Sequence, residues 1–259
     1  MHARWFSAAL TLGLCLGLGC RDEKAAPPSR RVSAAGRSAV VSPPLEYALA
    51  FAASPPKIDG KLDDPVWTGA RSVRLGNSFD GSKTRLRTEL RMLYDRDFLY
   101  LAFDCDDPDV WGTFAKRDDS LYTQEVVELF VDSDGDGRAY QEIEVSPHNV
   151  VFDAFFPARR QGMDLTYDAG LVSAVSVDGT LDQPGDQDQG WRVEMRLPLS
   201  TFAPAVPLEE RAGLRWRFNA YRLELKDRKE TEGQSFSPLH QGDFHNLSRF
   251  GVLRFEPPR

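Results

Sequence analysis

The sequence predicts an all-β fold, an antiparallel β-sandwich of about ten strands with short helical turns. Three observations lead there. Apolar and polar residues alternate with a period of two through most of the chain beyond residue 44. The alternating runs are short and are separated by turn-forming dipeptides such as Asp59-Gly60 and Arg96-Asp97. No segment carries the 3.6-residue apolar period of a long helix.

The first element lies outside that fold. Residues 1–19 have the layout of a secretory signal peptide: a basic start at His2-Ala3-Arg4, then a nearly unbroken apolar run from Trp5 to Gly19. A run of about 15 residues is short for a bilayer span and suits the apolar core of an export signal. It ends in Leu16-Gly17-Leu18-Gly19-Cys20, which is similar to a bacterial lipobox. In that pattern Cys20 is diacylated and becomes the mature N-terminus, so a lipid-anchored protein of the cell envelope is expected. Gly17 stands where Leu is usual, and a plain cleaved signal is the alternative. Residues 20–44 continue as an Ala-, Pro-, Ser- and Arg-rich stretch with no apolar periodicity, which reads as a disordered tether.

The folded domain is expected over residues 45–259. It opens on IDGKLDDPVW at residues 58–67, where Asp59-Gly60 makes a tight turn, Asp63 or Asp64 caps a short helix with Pro65 at its first position, and Trp67 supplies a core side chain. Strands follow at 87–95, where Thr88, Leu90, Met92 and Tyr94 share a face, and at 98–105, where Leu99, Leu101, Phe103 and Cys105 share one. Further strands are predicted at 125–132, 139–146, 149–156, 171–179, 190–198, 214–225 and 249–255, with helical turns at 64–69 and 198–203.

Composition narrows the function. Of 259 residues, 41% are hydrophobic and 27% charged, which suits a folded domain. A net charge of −7 disfavours nucleic acid as a partner. The 16 Phe, 7 Tyr and 5 Trp suit both a β core and a surface that stacks sugars. Once Cys20 is lipidated, Cys105 has no partner, so stability must come from the core rather than a disulfide. No dinucleotide, phosphate-loop, GxSxG or HExxH pattern occurs, and catalysis finds little support.

IDGKLDDPVW together with FLYLAFDCDDPDVWG, SLYTQEVVELFVDSDGDGRAYQEIEVSP, WRVEMRLPLSTF, WRFNAYRLE and FSPLHQGDFHNLSRFGVLRF resembles, in order, the family 9 carbohydrate-binding modules. The resemblance implies a β-sandwich that holds a sugar between two aromatic rings. One ring precedes the strand matched by Val127-Glu128-Leu129-Phe130-Val131-Asp132, which places Tyr122 there. The other precedes the strand matched by Phe250-Gly251-Val252-Leu253, which places Phe244 there. Sugar-binding members carry Trp at both points. They also direct polar residues inward from the strand matched by Ile143-Glu144-Val145-Ser146, where this chain offers Glu144 and Ser146 in place of Arg and Asn. Asn219 and Arg222 are further rim candidates. Physical chemistry supports the same ligand class: aromatic faces cover the C–H face of a pyranose, and carboxylates, amides and guanidinium groups bind its hydroxyls.

The segment Asp132-Ser133-Asp134-Gly135-Asp136-Gly137 has the alternating oxygen donors of a calcium loop, with Asp132, Asp134 and Asp136 as ligands. Its twelfth position is Ile143 rather than Glu, and its flanks read as strands, so an acidic hairpin turn is the competing reading. Two rival functions stay open. Glu142 and Glu144 are a carboxylate pair of the kind a glycoside hydrolase, or an accessory subunit of one, would need. A haem-binding or purely structural sandwich would have to draw ligands from His148, Met92, Met163 and Met195.

Overall fold

A computed structural model describes residues 43–202 and 206–258. The signal peptide, Cys20 and nearly all of the tether lie outside the described residues. The fold is the β-sandwich that the alternation predicts, with no α-helix among the described residues and five short 3-10 turns.

Thirteen strands form it: β1 (Glu46–Phe51), β2 (Val73–Arg74), β3 (Gly76–Asn77), β4 (Thr88–Tyr94), β5 (Phe98–Asp106), β6 (Val126–Asp132), β7 (Tyr140–Val145), β8 (Val151–Phe156), β9 (Val172–Asp178), β10 (Gly190–Pro198), β11 (Arg215–Lys226), β12 (Glu230–Ser235) and β13 (Gly251–Phe255). The nine predicted strands fall within these. β1, the two-residue β2 and β3, and β12 (Glu-Thr-Glu-Gly-Gln-Ser) are additions, too short or too polar to stand out by pattern. The predicted helical turns occur at Pro65–Gly69 and Leu199–Thr201.

The spatial order is β8-β7-β6-β11-β13-β1-β4-β5-β10-β9. β1 makes the turn from one layer to the other. Glu46 to Leu49 run parallel to β13, and Ala50 and Phe51 run parallel to β4. Between the layers lies the main core, where Leu90, Met92, Leu101, Phe103, Val193 and Met195 of one layer meet Leu129, Val131, Ile143, Trp216 and Phe218 of the other. Cys105 is buried in it, and burial pushes its thiol up to about 12, which leaves it inert as a nucleophile.

Both outer faces are also covered. On the β4–β5 side, Ile58, Leu62, Val66 and Trp67 pack on Leu93, Tyr100 and Ala102. The opening motif is held by one buried side chain of β10. Glu194 Oε2 accepts the N–H groups of Asp59 and Gly60 at 2.9 Å each, and its Oε1 accepts the Trp67 indole N–H at 2.8 Å. Gly60 has φ +81°, and a Cβ there would lie 2.8 Å from the Val175 carbonyl carbon, so only glycine fits. Pro65 begins the 3-10 turn as expected. Asp64 occupies the N-cap position without capping, because its carboxylate instead accepts the Lys57 N–H at 2.7 Å. On the β6–β7 side a second apolar cluster contains Phe130, Tyr140, Phe152, Phe156 and Tyr221 under Leu121, Leu239, Leu247 and Phe250. The candidate site lies there.

Candidate functional site

The outer face of four neighbouring strands makes the floor. Because side chains alternate along a strand, Glu128 and Phe130 of β6, Tyr140, Glu142 and Glu144 of β7, Phe152 and Phe156 of β8, and Tyr221 and Leu223 of β11 share this face. The register sets them side by side. Glu128 pairs with Glu144 on one flank and Tyr221 on the other, Phe130 with Glu142, Glu144 with Phe152, and Tyr140 with Phe156. Rings therefore sit beside carboxylates across the sheet. Tyr140 and Phe156 stack with centroids 4.9 Å apart, and Phe130 meets Tyr221 edge-on at 5.2 Å.

Loops raise walls around that floor and leave a cavity of about 450 Å³ lined by Tyr122, Glu128, Phe130, Glu142, Phe152, Phe156, Arg160, Met163, Leu223, Gly242, Phe244 and His245. Tyr122 comes from the 3-10 turn Leu121–Thr123, whose Leu121 is the buried anchor. Its ring is 44% exposed and meets Phe152 edge-on at 5.8 Å. Phe244 comes from the segment between β12 and β13. It stacks on Tyr221 with centroids 4.2 Å apart and planes 10° apart, and the Tyr221 hydroxyl donates to the Phe244 carbonyl at 2.8 Å. Gly233 of β12 makes room for it, since a Cβ there would meet the Phe244 ring at 3.2 Å and Ser78 Oγ at 2.6 Å.

The polar lining of the cavity combines Glu128 and Glu142 with Arg160, His245 and the Tyr122 hydroxyl. Arg160 is tied to Asp243 at 2.9 Å, and Arg159 pairs with the same carboxylate. His245 Nδ1 shares a 2.5 Å hydrogen bond with the Tyr140 hydroxyl and lies 4.0 Å from Glu142 Oε2. Burial, reinforced by Arg160, lowers His245 to about 4, so its ring is neutral near pH 7. Burial raises Glu142 to about 7 and pushes Glu128 and Glu144 well above the ordinary carboxylate range.

The expected site residues divide accordingly. Tyr122 and Phe244 reach one cavity from loops more than a hundred residues apart. Glu144 lies beneath the cavity, within 4.8 Å of the Glu128 and Glu142 carboxylates. Ser146 is not brought there: its hydroxyl accepts the Val150 N–H at 3.2 Å within the β7–β8 turn. Asn219 shares the outer face, but its amide is spent on the Ser237 carbonyl and on the N–H groups of Ser237 and Ala220. Arg222 points the opposite way, between the layers, and donates to Thr88, the Asp106 carbonyl and Asp107. It is one residue out of phase with Tyr221 and Leu223, so the period of two places it on the other face.

Asp132, Asp134 and Asp136 do converge within 4.8 Å. Asp132 accepts the Gly135 and Gly137 N–H groups, Asp134 the Asp136 N–H, and Asp136 the Arg138 N–H. Backbone N–H groups thus reach at least one oxygen of each carboxylate, as in an acidic hairpin turn. Of the haem candidates, Met92 and Met195 are core residues, Met163 lines the cavity, and His148 Nε2 lies 3.1 Å from the Gly112 carbonyl oxygen, which can only accept from it, and 2.8 Å from Asp182 Oδ2.

Sequence reasoning missed Glu128, Phe130, Phe152, Phe156, Arg160 and His245 as one group. The available signal was that Glu128, Glu142 and Glu144 all occupy alternate positions of adjacent predicted strands.

A family model described as "Carbohydrate family 9 binding domain-like" matches residues 58–256. The chain belongs to this family. Solved family 9 relatives share its fold. A module of Caldicellulosiruptor kristjanssonii in complex with cellotriose superposes with a TM-score of 0.59 at 18% identity, covering 83% of this chain and 95% of that one. A protein from Bacteroides uniformis with a provisional carbohydrate-binding designation superposes with a TM-score of 0.64 at 18% identity, covering 82% and 98%. Among curated relatives, a protein of Arthroderma benhamiae called "Extracellular protein" is 29% identical over 65% of this family 9 chain and 78% of its own length. Endo-1,4-beta-xylanase A of Thermoanaerobacterium saccharolyticum is 30% identical over 58% of the chain, which spans only 11% of that enzyme.

Proposed function

We propose that this protein is an exported, lipid-anchored carbohydrate-binding protein whose ligand stacks on Tyr122 and Phe244. The observation that carries the reading is a single cavity with these two rings among its walls and carboxylates in its floor. Its volume of about 450 Å³ suits one or two sugar rings. The family's description, the "Extracellular protein" relative, and the cellotriose and glucose complexes of the Caldicellulosiruptor kristjanssonii module support it. Tyr and Phe offer less stacking area than two Trp rings, so modest affinity is expected. Lipidation at Cys20 would hold the domain at the cell envelope.

The test is calorimetric titration of the purified domain against glucose, cello-oligosaccharides, xylo-oligosaccharides and a broader glycan panel. At least one glycan is expected to bind, with affinity reduced tenfold or more in Tyr122→Ala and in Phe244→Ala. Circular dichroism should show both variants folded, because Tyr122 is exposed and Phe244 only half-buried. A silent panel with folded protein would end the reading. Palmitate incorporation in cells, lost in Cys20→Ala, tests the anchor separately.

A further inference from the structure

One wall of the cavity carries a permanent positive charge, and it sits on a costly backbone. Beyond β8 the chain turns tightly, with Arg159 and Arg160 as the central pair and the Gln161 N–H donating to the Ala158 carbonyl at 2.9 Å. Arg160 has φ +53°, a left-handed conformation that glycine takes freely and a side chain disfavours. Its guanidinium nonetheless lines the cavity. Backbone held in sparsely populated regions gathers at ligand contacts. The other arginine in this conformation, Arg228, has its charge fully engaged, with two bonds to Asp109 and its guanidinium over Trp111.

Arg160 differs because it shares its partner. Its Nε and Nη2 reach Asp243 Oδ1 at 3.0 and 2.9 Å, and Arg159 pairs with Oδ2 of the same carboxylate. Two guanidinium groups on one carboxylate leave one positive charge over, and their five N–H donors each exceed what two oxygens can take. Both side chains stay about half exposed, and exposed ion pairs add little stability, so docking this turn to the Phe244 segment does not by itself account for two arginines. The rest of the lining does not cancel the excess. At His245 the Arg160 charge outweighs that of Asp243, and the ring is neutral. Burial keeps Glu128 and Glu144 protonated and raises Glu142 to about 7, so below that pH the floor adds little negative charge.

We propose that the cavity selects acidic glycans, with Arg160, assisted by Arg159, receiving the carboxylate of a uronic acid residue whose ring lies against Tyr122 and Phe244. This rests on the carbohydrate reading and narrows its ligand class. A guanidinium is a planar fork that matches a carboxylate with two parallel N–H···O bonds, and such charge-assisted bonds are stronger than bonds to a sugar hydroxyl. A uronate carries its carboxylate at the edge of the ring, which leaves the apolar C–H face free for the aromatic side chains. Protonated glutamates in the floor can donate to and accept from the remaining hydroxyls without repelling the anion.

The test is calorimetric titration of the full-length protein at pH 6 with matched pairs: trigalacturonate and its methyl ester, and xylotriose with and without a glucuronate branch. In at least one pair the acidic member is expected to bind at least tenfold more tightly. That advantage should shrink to threefold or less in Arg160→Gly, a change the turn accommodates because glycine takes positive φ freely. Arg160→Gln is measured alongside, and the melting temperature shows which variant is folded. Arg160→Lys keeps the charge without the fork and should retain only part of the advantage. Neutral members that bind as tightly as acidic ones would overturn the acidic selectivity and leave the carbohydrate reading standing. An acidic preference that survives in a folded Arg160→Gly or Arg160→Gln protein would overturn the assignment to this turn. Silence toward both members of each pair and toward the wider neutral panel would end the carbohydrate reading and this inference with it.

Discussion

At the scale of single residues, the site is governed by groups whose ordinary ionisation is displaced. Burial raises Glu142 to about 7, against about 4.3 in an unfolded chain. Between those values the folded protein holds a proton that the unfolded chain releases. This contribution to stability is therefore fully present below the unfolded value and is lost as pH rises toward 7. His245 works in the opposite sense. Its folded value of about 4 lies below the unfolded value of about 6.5, so its contribution is present above 6.5 and lost as pH falls toward 4. Tyr140, Glu142, Asp243, Arg159 and Arg160 are the groups that face or act on it. Glu142→Gln removes the first contribution and leaves the second. Urea unfolding at a series of pH values should therefore show the variant gaining on the parent from pH 4 to pH 7, by on the order of 2 kcal/mol. A constant difference across that range would contradict the assignment.

At the scale of elements, the opening motif is a clasp on β10 rather than part of the cavity. Asp59, Gly60 and Trp67 bring three N–H donors to the two oxygens of Glu194. Glu194→Gln would turn an amide NH₂ toward one of those donors, leaving a buried N–H unpaired at a cost of about 1–3 kcal/mol. Trp67→Ala should cost more, about 3–5 kcal/mol, through the void left against Leu93, Tyr100 and Ala102. Both losses should appear as lower urea midpoints. Glycan titrations of either folded variant should match the parent, because the clasp packs on the β4–β5 layer and the cavity on the β6–β7 layer.

At the scale of the whole molecule, β1 joins the two layers. It pairs with β13 through Glu46 to Leu49 and with β4 through Ala50 and Phe51, and its Tyr47 and Leu49 are fully buried in the core. A chain beginning at Pro43 should keep the parent's melting temperature, whereas one beginning at Ala52 should lose its cooperative transition in calorimetry. Equal melting of the two would show that the layers hold without this strand.

How far the sequence reaches follows from these cases. Alternation at 87–95, 98–105 and 190–198 located strands within a residue or two, because a strand buried on one face must repeat every second residue. The turn at Asp59-Gly60, the burial of Trp67 and the positions of Tyr122 and Phe244 were also legible, the last two through family resemblance. β12 was not, since its Glu-Thr-Glu-Gly-Gln-Ser owes its place to pairing with β11 and β3 rather than to any apolar pattern of its own.

Alternation separates a strand's two faces but does not say what covers them. By sequence, Glu144 reads as a site residue beside Ser146, Glu142 as its partner in a carboxylate pair, and Arg222 as part of a binding rim. Long-range pairing of β11 with β6 and the loops carrying Leu121, Leu239 and Leu247 bury the three glutamates beneath a cavity. The phase of β11 turns Arg222 inward toward Asp107. The sequence by itself determined nine of the strands, the Asp59-Gly60 turn and the buried Trp67. The tertiary structure alone decided which polar residues meet a ligand, because that depends on register and cover contributed by segments far apart in the chain.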